Sequence, residues 1–137
     1  MVQPLIRPCF LVVDREHSGS ISTRKLVIET AKFNVITAYS GAEAIETLRR
    51  FPAMDGVVLD AGIADLPCSE VVKQLKAIQR NVIIVVVGTL GNAPCVGADH
   101  YLENFDPAKL LKLLQRLQPE KTAIILQMDE RLSDASE

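Results

Sequence analysis

Short apolar runs alternate with amphipathic stretches along this chain. Phe10-Leu11-Val12-Val13, Val57-Val58-Leu59 and Val82–Val87 are apolar without interruption. The last has no polar alternation, which predicts a strand covered on both faces. Five strands are predicted: Cys9–Val13, Asn34–Tyr39, Gly56–Asp60, Val82–Val87 and Asp99–Leu102. Between the first two, Ile21, Ile28 and Ala31 keep helical spacing, with Val27 and Ala31 four apart, so a helix over Ser20–Lys32 is expected. Ser40, with Glu43 three residues later, is a capping-box start for the next helix. Ala44, Ile45 and Leu48 form its inward face, and Phe51-Pro52 stops it. A third helix near Ser69–Gln79 turns Val71, Val72, Leu75 and Ile78 inward. Asp106 caps a final helix with Pro107 at its first position, where a missing N–H costs nothing. Leu110, Leu111, Leu114 and Leu117 are its predicted buried side.

This βα repetition predicts an α/β domain with a five-stranded parallel sheet, doubly wound and flanked by helices. One connection breaks the rhythm. Only Gly88–Gly97 separates the fourth and fifth strands, and it holds Gly88, Gly91, Pro94 and Gly97. A parallel crossover usually needs a dozen or more residues. The helix expected there is therefore shortened or absent. The chain divides into an N-terminal arm (1–8), the domain (9–118) and a tail or linker (119–137). The tail's apolar segment, Thr122–Met128, could extend a helix, pack on the body or serve a dimer.

Composition narrows the classes. At 137 residues, with 48% hydrophobic and 23% charged positions, the chain suits one folded domain. A net charge of −2 without a basic patch argues against direct nucleic-acid binding. No apolar stretch reaches membrane-spanning length, and the N-terminus lacks a signal-peptide layout, so a cytoplasmic location is expected. Cys9, Cys68 and Cys95 are far apart and show no zinc spacing, so they are expected to act as three small hydrophobes.

The candidate chemistry lies at two strand ends. Asp14 follows the first apolar run and Asp60 closes the third. Ligand sites of open α/β sheets lie at that carboxyl edge. With the segments Val35–Ala44 and Gly97–Pro107, these motifs make residues 8 to 118 resemble the receiver domain of bacterial response regulators, a CheY-like, flavodoxin-like fold of two-component phosphorelays. The resemblance implies that Asp60 accepts a phosphoryl group from a histidine kinase. It also implies an acidic pair that holds Mg²⁺, a hydroxyl ending the fourth strand, a following Lys and an aromatic switch at Tyr101. A carboxylate is a usable nucleophile toward phosphorus, and the transfer needs a cation.

Several pocket positions depart from that pattern. Arg15 stands where a metal ligand belongs, beside Asp14, and Glu16 is one residue late. The hydroxyl position falls on Val87 or Gly88, with Thr89 the nearest hydroxyl. Asn104 replaces the Lys. Two carboxylates about 4 Å apart repel by about 4 kcal/mol at an effective dielectric of about 20. A guanidinium between them relieves that, so Arg15 is expected to replace both the cation and the Lys. The leading expectation is a non-enzymatic signalling module with impaired or absent Mg²⁺-dependent phosphorylation. It would act on a histidine kinase, another signalling protein, an output domain or its own copy. One alternative is a working receiver phosphorylated at Asp60. The other is a small flavodoxin-like nucleotide- or flavin-binding protein, for which His17-Ser18-Gly19-Ser20 would have to cradle phosphate.

Overall fold

The computed structural model describes residues 7–15, 22–88, 95–103, 106–119, 122–125 and 127–128. Five parallel strands form one sheet: β1 (Cys9–Val13), β2 (Asn34–Ala38), β3 (Gly56–Asp60), β4 (Ile83–Gly88) and β5 (His100–Glu103). Their spatial order is β2-β1-β3-β4-β5. The helices are α1 (Thr23–Thr30), α2 (Gly41–Arg50), α3 (Cys68–Ile78) and α4 (Pro107–Leu117). The order reverses between β1 and β3, which makes the carboxyl ends of those two strands the switch-point crevice.

Alternation along the strands separates two cores. Leu11, Val13, Val57, Leu59, Ile84 and Val86 face α2 and α3. Phe10, Val12, Val58, Val85 and Val87 pack instead with Ile28 of α1 and Leu110, Leu113 and Leu114 of α4. The inward face of α4 therefore includes Leu113, whereas Leu111 and Leu117 are half-buried. One residue of the expected tail, Ile125, is buried in the same cluster.

The helix starts follow local chemistry. Ser40 Oγ accepts from the Glu43 N–H at 3.0 Å, and Glu43 Oε2 accepts from the Tyr39 N–H at 3.2 Å. Asp106 Oδ1 accepts from the Ala108 and Lys109 N–H groups. Asp65, in the loop after β3, reaches back to cap α2, accepting from the Gly41 and Ala42 N–H groups at 2.8 and 3.0 Å. Desolvation pushes the Asp65 carboxyl upward. Backbone hydrogen bonds from Gly41, Ala42, Asp65 and Leu66 outweigh it and leave the group below the usual carboxylate range.

Among the described residues no helix lies between β4 and β5. Residues 95–98 run as a strap along α3, with Cys95 and Ala98 packed at the edge of its apolar cluster. Gly97 has φ +96°, a conformation open to glycine, and a Cβ there would meet Val72 Cγ1 at 3.2 Å. Asp99 anchors the lower end by accepting from Lys76 Nζ at 2.6 Å and the Ile84 N–H at 2.7 Å.

The expectation for the cysteines is corrected here. Cys68 and Cys95 form a disulfide, with Cα atoms 5.3 Å apart, and Cys9 is the free thiol. The sequence separation of 27 hid the pair. The strap closes that distance by running back beside the start of α3.

Candidate functional site

Asp14 and Asp60 are buried at the carboxyl edge of β1 and β3. Alternation turns both toward the α1 side of the sheet, because Phe10, Val12 and Val58 two and four positions earlier pack there. A helix that follows a parallel strand starts at this same edge, so the first turn of α1 overlooks both carboxylates.

Two residues of that turn meet them. Ser22, the N-cap of α1, is fully buried and its Oγ donates to Asp14 Oδ2 at 2.7 Å. The same Oγ accepts from the Lys25 N–H at 3.3 Å. Arg24 Nη1 donates to Asp60 Oδ2 at 2.6 Å and lies 3.6 Å from Asp14 Oδ1. Its side chain is only 13% exposed. Such a short charge-assisted bond between buried partners is strong. Asp60 Oδ1 accepts from the Gly62 N–H at 2.6 Å. Each of the four carboxylate oxygens thus has a partner within the chain.

Arg15 does reach Asp60, but it shares the carboxylates with a second arginine. Arg15 Nε is 3.8 Å from Asp60 Oδ2, but its side chain is 65% exposed. It contributes at the rim, and the guanidinium between the carboxylates is that of Arg24. Adjacent residues of an extended chain start toward opposite sides, so Arg15 comes to Asp60 from the exposed rim while Asp14 is buried. A signal for Arg24 was present in the sequence. The first turn of α1 holds cations and no acid, where the helix dipole favours the reverse. A cation placed there needs a carboxylate nearby. Ser22 was missed for a similar reason, since its hydrogen bond to Asp14 is tertiary.

The other candidates fall as follows. Val87 pairs with Asp60 across the sheet and is buried with α1 and α4, so its side chain belongs to the core. Gly88 ends β4, and a Cβ built on it would overlap Tyr101 Oη and lie 3.0 Å from Tyr101 Cζ. Tyr101, although 48% exposed, covers the space that a hydroxyl side chain at Gly88 would fill. Glu16, Thr89, Asn104 and the segment His17-Ser18-Gly19-Ser20 lie outside the described residues.

Gly88→Thr is therefore expected to push Tyr101 away from β4, at a cost of about 1–3 kcal/mol. In a Tyr39→Phe background Tyr101 is the only tyrosine of a chain without tryptophan. Acrylamide quenching of its fluorescence should rise in the Gly88→Thr variant. Unchanged quenching would mean that the two positions do not compete.

Magnesium favours an octahedral set of oxygens with several waters retained. Among the described residues no group of three or more His, Cys, Asp or Glu side chains could hold a metal ion. The described residues do not fit Mg²⁺ while Arg24 occupies the cleft.

Beyond the pocket, a groove of about 810 Å³ runs between β5 and α4. Leu102 and Leu113 line it, and Lys109, Lys112 and Arg116 edge it with positive charge. No described helix is long and apolar enough to cross a membrane.

No protein-family model and no curated protein matches the chain. Solved structures do. The chemotaxis protein CheY4 of Vibrio cholerae is 27% identical, with 82% of this chain and 99% of that one covered and a TM-score of 0.67. A CheY-like response regulator receiver domain from Methylobacillus flagellatus is 25% identical, with 82% and 99% covered and a TM-score of 0.71. The receiver domain of the sensor histidine kinase PA1611 of Pseudomonas aeruginosa is 20% identical, with 82% and 98% covered and a TM-score of 0.71. That structure holds a magnesium ion in its active-site cleft.

Proposed function

We propose that this CheY-like response-regulator receiver domain is a signalling module whose phosphoacceptor position is closed by its own arginine. Asp60 stands at the phosphoacceptor position, and Arg24 takes the place of the cation beside it. The observation that carries the reading is Arg24 Nη1 at 2.6 Å from Asp60 Oδ2, with Asp14 Oδ1 3.6 Å away. In a phosphoryl-accepting carboxylate one oxygen must be free to attack phosphorus, and a cation must offset the transferring oxygens. Here both Asp60 oxygens hold hydrogen bonds to the chain. The domain then acts by protein–protein contact in the cytoplasm, without catalysis of its own. Its partners are a histidine kinase or another signalling protein, an output domain or a second copy. The groove between β5 and α4 favours a partner segment that brings acidic side chains to Lys109, Lys112 and Arg116.

The purified chain is incubated with Mg²⁺ and either acetyl phosphate or beryllofluoride, and its intact mass is read. The expected outcome is no phosphoryl adduct and no beryllofluoride complex. A mass gain that disappears in Asp60→Asn would instead identify a working phosphoacceptor.

A further inference from the structure

Three features set the Cys68–Cys95 disulfide apart from an inert staple. Both cysteines are only partly buried, at the rim of the apolar cluster, so a reductant can reach them. Cys68 is the first residue of α3, and Pro67 before it offers no side-chain cap. Helix N-terminal amides stabilise a thiolate, which makes Cys68 the better leaving group. Cys95 lies in the strap that stands where the repeating pattern would place a helix. Val96 beside it is 74% exposed. Among the described residues, Asp99 is the strap's polar anchor and the disulfide its one covalent tie. The third cysteine is set apart from this chemistry, because burial and the nearby Asp55 push the Cys9 thiol above its ordinary value.

We propose that Cys68–Cys95 is a thiol–disulfide exchange site that takes a protein dithiol as its reductant, and that opening it frees residues 95–98 from the flank of α3. The reductant's thiolate attacks Cys95 Sγ and forms a mixed disulfide. The Cys68–Cys95 bond breaks, and its electron pair leaves on Cys68 Sγ at the start of α3. The reductant's second thiol, once deprotonated, then attacks its own sulfur in the mixed disulfide and releases Cys95 as a thiolate. Two electrons and two protons pass from the dithiol to the protein, and the reductant leaves as a disulfide. The released strap uncovers the side of Val72 and the adjoining edge of the apolar cluster around Ile84 and Val86. This surface is distinct from the Arg24–Asp60 pair on the opposite face of the sheet, so the two readings stand independently.

The test uses the oxidised 137-residue chain in a series of glutathione redox buffers, with dithiothreitol as the dithiol probe. Samples are acid-quenched, alkylated and mapped by mass spectrometry, and circular dichroism follows the fold. Cys68 and Cys95 should become alkylated together in glutathione buffer while the fold stays native. Resistance to that pool marks a structural disulfide. Amide hydrogen exchange over 95–98 should rise severalfold on reduction, with β1 and β3 unchanged. The double variant Cys68→Ser/Cys95→Ser should show the faster exchange without reductant, and the wild-type titration decides the matter if that variant does not fold. The proposal is overturned if the pair stays closed until the chain unfolds. It is also overturned if reduction leaves exchange over 95–98 unchanged.

Discussion

Replacing Arg24 with glutamine should destabilise the fold and at the same time give the protein a response to Mg²⁺. Asp14 and Asp60 are both buried, and the Arg24 guanidinium lies between them at 3.6 and 2.6 Å. Removing one partner of a buried ion pair costs about 3–5 kcal/mol, because a charge is left uncompensated in a poorly solvated place. In this pocket two like charges remain, with only the exposed Arg15 near Asp60, so a loss within that range is expected. The variant leaves the Asp14 and Asp60 carboxylates, and Mg²⁺ is bound by one or two carboxylates with several waters retained. A ligand that binds only the folded state at about 100 times its Kd adds about 2.7 kcal/mol. Thermal unfolding of the Arg24→Gln variant should therefore shift upward with millimolar Mg²⁺, while the wild type stays put. Arg24→Lys keeps a charge but loses the planar fork, and should fall between the two. Equal Mg²⁺ responses in wild type and Arg24→Gln would show that the guanidinium does not guard the cleft.

Opening the Cys68–Cys95 disulfide has the second largest expected effect. With a sequence separation of 27 between the two cysteines, the loop-closure estimate is about 3.5 kcal/mol at 25 °C. That loss arises in the unfolded chain, which gains freedom once the cross-link is gone. The denaturant midpoint should fall after reduction, and the urea m-value should rise as the unfolded state expands. Urea titrations of the oxidised chain and of the reduced, alkylated chain measure both quantities. Midpoints that coincide would mean that packing of the strap against α3 already supplies the constraint. A separate alkylation of Cys9 on the oxidised chain controls for its own burial, since it is the free thiol.

The two predictions concern the features that the sequence concealed, and the reason is shared. Arg24 is 36 residues from Asp60, and Cys68 is 27 from Cys95. Neither spacing matches a local motif. Arg15, next to Asp14, reaches Asp60 only from the exposed rim, whereas Arg24 of the following helix comes back over the pocket. The position ending β4 was ambiguous between Val87 and Gly88 for the same kind of reason. Its side-chain direction depends on the register with β3, where Val87 stands opposite Asp60.

Elsewhere local chemistry was enough. The uninterrupted runs Phe10–Val13, Val57–Leu59 and Val82–Val87 specified strands, the last of them covered on both faces. Ser40 with Glu43, and Asp106 with Pro107, specified where α2 and α4 begin, since a cap and the amides it serves are neighbours in the chain. The sequence by itself thus determined the parallel α/β sheet, the short link between β4 and β5, and the carboxylates at the sheet's carboxyl edge. Tertiary structure alone decided which cation neutralises those carboxylates and which cysteines pair. Both depend on side chains meeting across separate elements, at distances set by how helices dock on the sheet.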